Sequence, residues 1–186
     1  MKPVTLRTRR LVLDQPTSSD RDVIVEYCQD PVFEHFMTLP WPYEPRHADY
    51  FTETLVPTGW ASGSELTWAL RERASDPLLG VVGWRADGND IGYWLGAPHR
   101  GRGYMTEAVV AAADYLFETL GIASINWECV AGNVASVGVA RAAGFRYTGE
   151  APAALTFRDG SHPTAWHGVL SPDDREEKPA WPPSTW

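Results

Sequence analysis

The chain has 186 residues, 44% of them hydrophobic and 22% charged, and its formal net charge at pH 7 is −8. The hydrophobic content excludes a disordered chain, and the length predicts one domain that buries roughly 70% of its unfolded surface. Nucleic acid is not expected as a partner, because contacts with phosphates need a basic face. The sequence shows neither a membrane-spanning apolar run nor a signal peptide, which predicts a cytoplasmic protein without membrane association. Cys28 and Cys129 are therefore expected as reduced thiols, although the sequence leaves a disulfide between them open.

The spacing of apolar residues divides the chain into strands and helices of a mixed α/β fold with a single layered sheet. In chain order these are a strand at 11–13; helices at 18–29, 31–36 and 46–55; strands at 66–71, 78–85 and 90–95; a helix at 105–120; a strand at 124–130; a helix at 133–143; and strands at 146–157 and 166–170. The third helix should end before Pro57. The basic cluster of Arg7, Arg9 and Arg10 is interpreted as a solvated strand edge.

Residues 1–170 form the predicted domain, and residues 171–186 form a C-terminal tail that contains several prolines and two tryptophans. The density of proline predicts an irregular or extended tail. Two interpretations are open. The tail is either a loosely ordered terminus whose tryptophans cover apolar surface, or an interaction segment that binds a partner or joins two copies into a homodimer.

The most informative segment of the chain is a loop rich in glycine and arginine between a strand and a helix. The apolar strand Ile91–Leu95 leads into Arg100-Gly101-Arg102-Gly103, and the loop opens directly into the helix that begins near Met105. Such a loop turns backbone N–H groups toward one point at the positive end of a helix dipole, which predicts a site for phosphate or pyrophosphate. The loop has no Lys-Ser/Thr ending, and Thr106 replaces the last glycine of a dinucleotide fingerprint.

The loop resembles the pyrophosphate loop of the GNAT N-acetyltransferases, Arg/Gln-x-x-Gly-x-Gly/Ala. With Gly92–Leu95 before it and Thr106–Ala108 after it, the segment resembles the RimJ/RimL-like branch, which acetylates protein N-termini and other amines. Met105 departs from the small residue that the pattern expects. A second motif downstream, Asn133-x-x-Ser136 followed by Arg141-x-x-Gly-Phe, is similar to the family's Asn-x-x-Ser helix, with Asn133 suited as its N-cap.

The resemblance implies the GNAT fold, a single mixed, mostly antiparallel twisted sheet flanked by about four helices. It also implies acetyl-coenzyme A as co-substrate. The cofactor-binding residues that it carries over are Trp94, Leu95, Arg100, Gly101, Arg102, Gly103, Tyr104, Met105, Thr106, Asn133 and Ser136. The five histidines of the chain have no metal-ligand spacing, so no metal is expected.

The resemblance further implies direct acetyl transfer from the thioester to an amine in a ternary complex. The sequence agrees, because it contains no Gly-x-Ser-x-Gly elbow and neither cysteine lies in a nucleophile motif. Ala140 occupies the position of the family's usual acid, a tyrosine. In the RimJ/RimL-like branch the serine of the Asn-x-x-Ser motif has that role, and the resemblance carries it over to Ser136. Asp90 and Glu128, on neighbouring strands, are candidate general bases, although each is also consistent with a solvated carboxylate at a strand edge. Glu107 is interpreted as a residue that favours the helix N-terminus.

The acceptor site should include the first two helices and the loop after them, which in this fold form one wall. The substrate-binding candidates are Phe33, Glu34, Phe36, Trp41, Tyr43 and, less directly, Trp60. Aromatic residues beside a carboxylate can hold a cationic amine, but the same residues are also consistent with core. A protein N-terminus, a small amine such as a polyamine, and an aminoglycoside all stay open as acceptors. The competing function is a non-catalytic sensor that binds acyl-coenzyme A without turnover.

Overall fold

The structure is a computed structural model that describes residues 1–173, 181–182 and 185. The helices of the described residues are α1 (Arg21–Tyr27), α2 (Pro31–Phe36), α3 (Pro45–Tyr50), α4 (Val56–Ser62), α5 (Tyr104–Glu118) and α6 (Val134–Ala142). The strands are β1 (Leu6–Arg7), β2 (Val12–Asp14), β3 (Glu65–Arg71), β4 (Gly80–Arg85), β5 (Asp90–Leu95), β6 (Ile125–Val130), β7 (Arg146–Pro152) and β8 (Thr164–Leu170).

The eight strands form one sheet in the order β1-β2-β3-β4-β5-β6-β8-β7. Neighbouring strands are antiparallel except β5 and β6, which run parallel because α5 connects them as a crossover. This arrangement confirms the predicted single mixed, mostly antiparallel sheet. The meander of β3, β4 and β5 is also confirmed, since consecutive strands pair with each other.

Helices cover both faces of the sheet, because side chains along each strand alternate between the two sides. One face packs α4, α5 and α6 against residues such as Trp68, Ile91 and Trp127, and we call it the α5 face. The opposite face packs α1, α2 and α3 against residues such as Val81 and Trp94, and we call it the α1 face. Each side chain of β5 and β6 therefore points either to the α5 face or to the α1 face.

One helical region is longer than expected, because residues 45–62 continue past the stop that Pro57 predicts. A π-helical turn at Phe51–Leu55 joins α3 to α4. Pro57 lies in the first turn of α4 instead of ending the preceding helix. A proline is tolerated there, because the first N–H groups of a helix have no intrahelical acceptor. This continuation makes Trp60 a fully buried core residue, 1% exposed, rather than part of an acceptor site.

The C-terminal tail returns to the α5 face at Trp181. Its ring centroid lies 5.7 Å from that of Trp127, and its indole N–H donates to the carbonyl oxygen of Phe145 at 3.1 Å. Trp181 therefore covers apolar surface, as one of the two interpretations of the tail expects. Residues 174–180, 183–184 and 186 lie outside the described part of the chain, so the second tryptophan of the tail, Trp186, is not described. None of the helices described is both long and apolar enough to cross a membrane.

Candidate active site

A slot opens in the sheet where β5 and β6 part. In the described chain their pairing is confined to Asp90 opposite Asn126. Beyond this pair, residues of both strands line a cavity of about 250 Å³ that also reaches α2, α6 and the hairpin between β7 and β8. β5 and β6 are parallel and separate toward their carboxyl ends. Their backbone groups, and side chains from both faces of the sheet, therefore border the same cavity. The slot is therefore the place where groups from the two faces can meet.

Because side chains alternate along a strand, the two faces of the slot carry different functional groups. Tyr93 and Cys129 point to the α5 face, with Ile91 and Trp127 before them. Asp90 and Glu128 point to the α1 face, on the side of Trp94. Carboxylates thus lie on one side of the slot and hydroxyl groups on the other.

The loop between β5 and α5 has the backbone geometry of an anion site. After a short 3-10 turn at Ala97–His99, Gly101 and Gly103 both have φ of +74°, a conformation that favours glycine. Gly103 is the N-cap of α5, and the amide of Glu107 already bonds the Gly103 carbonyl at 3.1 Å. The amides ahead of it, in the first turn of a 15-residue helix, have no acceptor within the helix. The dipole of the helix adds positive potential at the same point.

Arg100 ties this loop to α2. Its guanidinium pairs with Asp30, the N-cap of α2, at 2.8 Å, and its Nε donates to the Leu95 carbonyl at 3.0 Å. The same guanidinium lies 5.5 Å from the centre of the Phe33 ring. Arg100 therefore fixes the position of α2 against the loop, in addition to any contact with an anion.

A second set of contacts holds the loop from the N-terminal side. The carboxylate of Glu107 accepts hydrogen bonds from Thr8 Oγ1 at 2.6 Å, Arg10 N at 2.9 Å and Arg10 Nε at 2.6 Å. Arg10 also donates to the carbonyl of Arg102 at 2.9 Å and lies over the Tyr104 ring. Burial opposes ionisation of Glu107, but these hydrogen bonds outweigh it and hold its pKa below the usual value.

This network corrects the interpretation of the basic cluster, since Arg10 is anchored to the loop and is not a solvated strand edge. Glu107 lies in the first turn of α5, as expected, but its carboxylate is bound to Thr8 and Arg10. Sequence reasoning missed the connection because the partners are 97 residues apart.

A pair of hydroxyl groups lies on the α5 face of the slot. Asn133 caps α6 by accepting from the amide of Ser136 at 3.2 Å, as predicted. Ser136 Oγ lies 3.2 Å from Tyr93 Oη, and Tyr93 in turn donates to the backbone carbonyl of Ser136 at 2.9 Å. Burial raises the pKa of Tyr93, so its phenol stays protonated at neutral pH. Tyr93 was not among the predicted site residues, although its spacing of two from Ile91 places it on this face.

The two candidate bases are held differently. Glu128 accepts from the amide of Ala154 with both carboxylate oxygens, at 3.0 and 3.2 Å, and its Oε2 lies 3.6 Å from His167 Nδ1. Asp90 forms an ion pair with Arg85 where β5 and β6 meet. The Asp90 carboxylate is thus matched by a permanent cation, whereas Glu128 is matched by a neutral amide and a histidine.

The two cysteines lie in different cores and are free thiols. Cys129 lies on the wall of the cavity, with Sγ 3.8 Å from the Asn133 carbonyl, and Cys28, the C-cap residue of α1, is buried in the core of the α1 face. Burial raises the pKa of each thiol to about 12. A thiol with this pKa is protonated at neutral pH and is a poor nucleophile.

The predicted acceptor residues are only partly brought together. Phe33 and Phe36 line the cavity. Tyr43 is instead buried in the α1-face core and is 4% exposed. The side chains of Glu34 and Trp41 do not line the cavity. An aromatic residue near a loop has the same sequence signature in a core as in a site, which explains these differences. Apolar lining residues that sequence reasoning missed are Met37, Ala153, Leu155 and Phe157.

Among the residues described, no three histidine, cysteine, aspartate or glutamate side chains are grouped so that they could hold a metal ion.

The chain is similar to known proteins in both sequence and structure. Residues 10–146 match the family model of the acetyltransferase (GNAT) domain. The uncharacterized N-acetyltransferase p20 of Bacillus licheniformis is 26% identical over 151 residues, which cover 78% of this chain and 84% of that protein. The ribosomal-protein-S5-alanine acetyltransferase of Vibrio fischeri superposes with a TM-score of 0.74 at 20% identity, over 92% of this chain and 98% of that one. RimJ of Mycobacterium smegmatis, solved in complex with CoA-disulfide, gives a TM-score of 0.76 at 16% identity, over 95% and 90% of the two chains.

Proposed function

The chain belongs to the acetyltransferase (GNAT) domain family, and on that premise we propose which of its residues bind acetyl-coenzyme A and transfer the acetyl group. The family is one of acetyl-coenzyme A-dependent N-acetyltransferases. The proposed mechanism is direct attack of an amine nitrogen on the thioester. The observation that carries the proposal is the slot between β5 and β6, since it joins an anion-binding loop, hydroxyl donors and a carboxylate in one space.

The loop from Arg100 to Thr106 is proposed to hold the pyrophosphate. Its support is the positive φ of Gly101 and Gly103, together with the first-turn amides and the dipole of α5. Arg100 and Arg102 add positive charge in a protein whose formal net charge is −8. Trp94, Leu95, Tyr104, Met105 and Asn133 complete the proposed cofactor-binding set. The pantetheine arm would then enter the slot toward Ser136.

The two faces of the slot fit the two proton transfers of the reaction. The amine nitrogen forms a bond to the acetyl carbon, the carbon–sulfur bond breaks, and the departing thiolate takes a proton from Ser136 Oγ. Tyr93 Oη accepts from Ser136 Oγ at 3.2 Å and donates to the Ser136 carbonyl at 2.9 Å, so it positions the serine. Solvent then returns a proton to Ser136 Oγ. The proton lost by the amine goes to Glu128 on the opposite face. Side chains near the reacting atoms thereby act as general acid and general base.

The need for a base depends on the amine. An α-amine with a pKa near 7.8 costs about 1 kcal/mol to deprotonate at pH 7, whereas an alkyl amine near 10.4 costs about 4.6 kcal/mol. Glu128 is the better candidate for the general base, because the Asp90 carboxylate forms an ion pair with Arg85. Asp90 is assigned instead to holding the closed end of the slot, where β5 pairs with β6.

The test is an assay of thiol release from acetyl-coenzyme A with a panel of primary amines, run on the wild type, Ser136→Ala, Tyr93→Phe and the double variant. We expect each single variant to lower kcat by about 10- to 1000-fold and the double variant to lose little more, because Tyr93 acts by positioning Ser136. Turnover that is unaffected by either change would contradict the assigned roles. Cofactor binding without turnover of any amine would favour the sensor.

The proposed setting is a cytoplasmic enzyme with an amine-bearing small molecule or a protein N-terminus as acceptor. The acidic net charge supports the absence of nucleic acid among its partners. A homodimer stays a prediction, and sedimentation of the purified protein would test it.

A further inference from the structure

We infer that the acceptor is a small primary amine with one positive charge and an apolar body, rather than a polyamine, an aminoglycoside or a polypeptide N-terminus. The inference rests on the proposed function and concerns the acceptor side of the same slot. Three features of that side carry it: its apolar wall, its charge balance and a contact that bridges the wall.

The wall of the acceptor side is apolar. Phe33, Phe36 and Met37 contribute from α2 and its end, and Leu155 and Phe157 contribute from the hairpin between β7 and β8. The whole cavity measures about 250 Å³. Sites for drug-sized ligands measure about 300–1,000 Å³, and the acetyl end of the cofactor must share this space. The remaining room suits a compact body without hydroxyl groups or further charges.

The charges on the cavity wall leave one carboxylate for one ammonium group. Arg85 is paired with Asp90, and Arg100 is paired with Asp30 outside the cavity. Glu128 has no permanent cation among the partners that the described residues give it. A second ammonium group of a polyamine would therefore lie against apolar side chains, which is costly for a charge.

Arg158 ties together the two segments that supply the apolar wall. From the hairpin, its guanidinium donates to the carbonyl oxygens of Glu34, Met37 at 2.9 Å and Leu39 at 2.5 Å. These contacts join the hairpin that carries Leu155 and Phe157 to the end of α2 and Met37, so that the two segments of the apolar wall are bridged. A small amine fits beneath this bridge, whereas an extended peptide needs the bridge to open.

The first experiment measures kcat/KM for straight-chain amines from ethylamine to pentylamine and for 1,4-diaminobutane, which has as many heavy atoms as pentylamine. We expect a rise of about fourfold per added methylene until the cavity is filled. We expect 1,4-diaminobutane to be at least about 100-fold poorer than pentylamine. A flat series, or a preference for the diamine, would overturn the inference.

A second comparison uses variants of the hairpin. Phe157→Glu places a carboxylate on the wall and should raise the ratio of diamine to pentylamine turnover at least about tenfold, whereas the uncharged control Phe157→Gln should not. Arg158→Ala should raise turnover of a valine-headed tetrapeptide relative to pentylamine. A tetrapeptide preferred by the wild type would contradict the inference. Failure of the wild type to bind acetyl-coenzyme A in a calorimeter would instead contradict the proposed function, so the two failures are distinguishable.

Discussion

Replacement of Glu128 by glutamine separates the chemical role of the carboxylate from its structural role. The amide oxygen of glutamine can still accept from Ala154, so the free energy of unfolding should change by less than about 1 kcal/mol. The variant loses the ability to take up the proton of the amine, whose removal at pH 7 costs about 4.6 kcal/mol for an alkyl amine. We therefore expect kcat/KM to fall by about 10²- to 10⁴-fold, equivalent to about 3–5 kcal/mol.

The assay is thiol release from acetyl-coenzyme A with pentylamine between pH 7 and pH 9.5. Without the base only the neutral amine in solution reacts, so kcat/KM of Glu128→Gln should rise about tenfold per pH unit. Asp90→Asn is the control, because it removes the other candidate carboxylate and leaves Arg85 without its partner. Its main effect should be on stability. A Glu128→Gln variant that keeps activity within about threefold of the wild type would refute the role of Glu128 as the base, and so would an Asp90→Asn variant that loses more activity than Glu128→Gln.

Three further predictions concern residues around the slot. Cys129→Ala should keep kcat within about tenfold of the wild type, because the buried thiol is protonated and forms no acyl intermediate; an acetylated cysteine found by mass spectrometry would contradict this. Folding lowers the pKa of Glu107, so its contribution to stability is present above about pH 4.3 and is lost as the pH falls through the folded-state pKa. Glu107→Gln should accordingly lower the urea midpoint more at pH 7 than near pH 3, and an equal difference at both pH values would argue against the ion pair. Trp181→Ala should lower the free energy of unfolding in urea by about 3–5 kcal/mol, because the indole is 7% exposed and packs on Trp127. A decrease below about 1 kcal/mol would show that Trp181 does not contribute to the hydrophobic core.

The sequence predicted the elements whose signals are local. The strand Asp90–Leu95 and the cap of α6 at Asn133 were confirmed, because apolar spacing and capping chemistry act over a few residues. The loop glycines were also recognisable, since their positive φ values belong to the turn itself. The length of the helical region after residue 45 was not predictable in this way, because a proline can end one helix or begin another.

Contacts between distant residues were beyond local patterns. The hydroxyl pair of Ser136 and Tyr93 joins positions 43 residues apart, and the bridge of Arg158 to α2 spans more than 100 residues. Tyr43 shows the converse problem, since its place beside a proline-rich loop suggested a site and the structure buries it in a core. Which aromatic residue faces a cavity is decided by helix packing across the sheet, and no single segment encodes it.

The central claim, that the loop before α5 binds acetyl-coenzyme A, is tested most directly by titration calorimetry on the wild type, Gly101→Glu and Gly121→Glu. Both glycines have a positive φ, +74° and +69°, and at both positions an added Cβ would meet nothing within 4 Å. The two variants therefore share the same backbone strain and the same added charge, and only Gly101 lies in the loop. We expect the wild type and Gly121→Glu to bind with similar Kd, and Gly101→Glu to bind at least about 100-fold more weakly, because its carboxylate repels the pyrophosphate. Equal binding by the two variants, or no binding by the wild type, would contradict the claim.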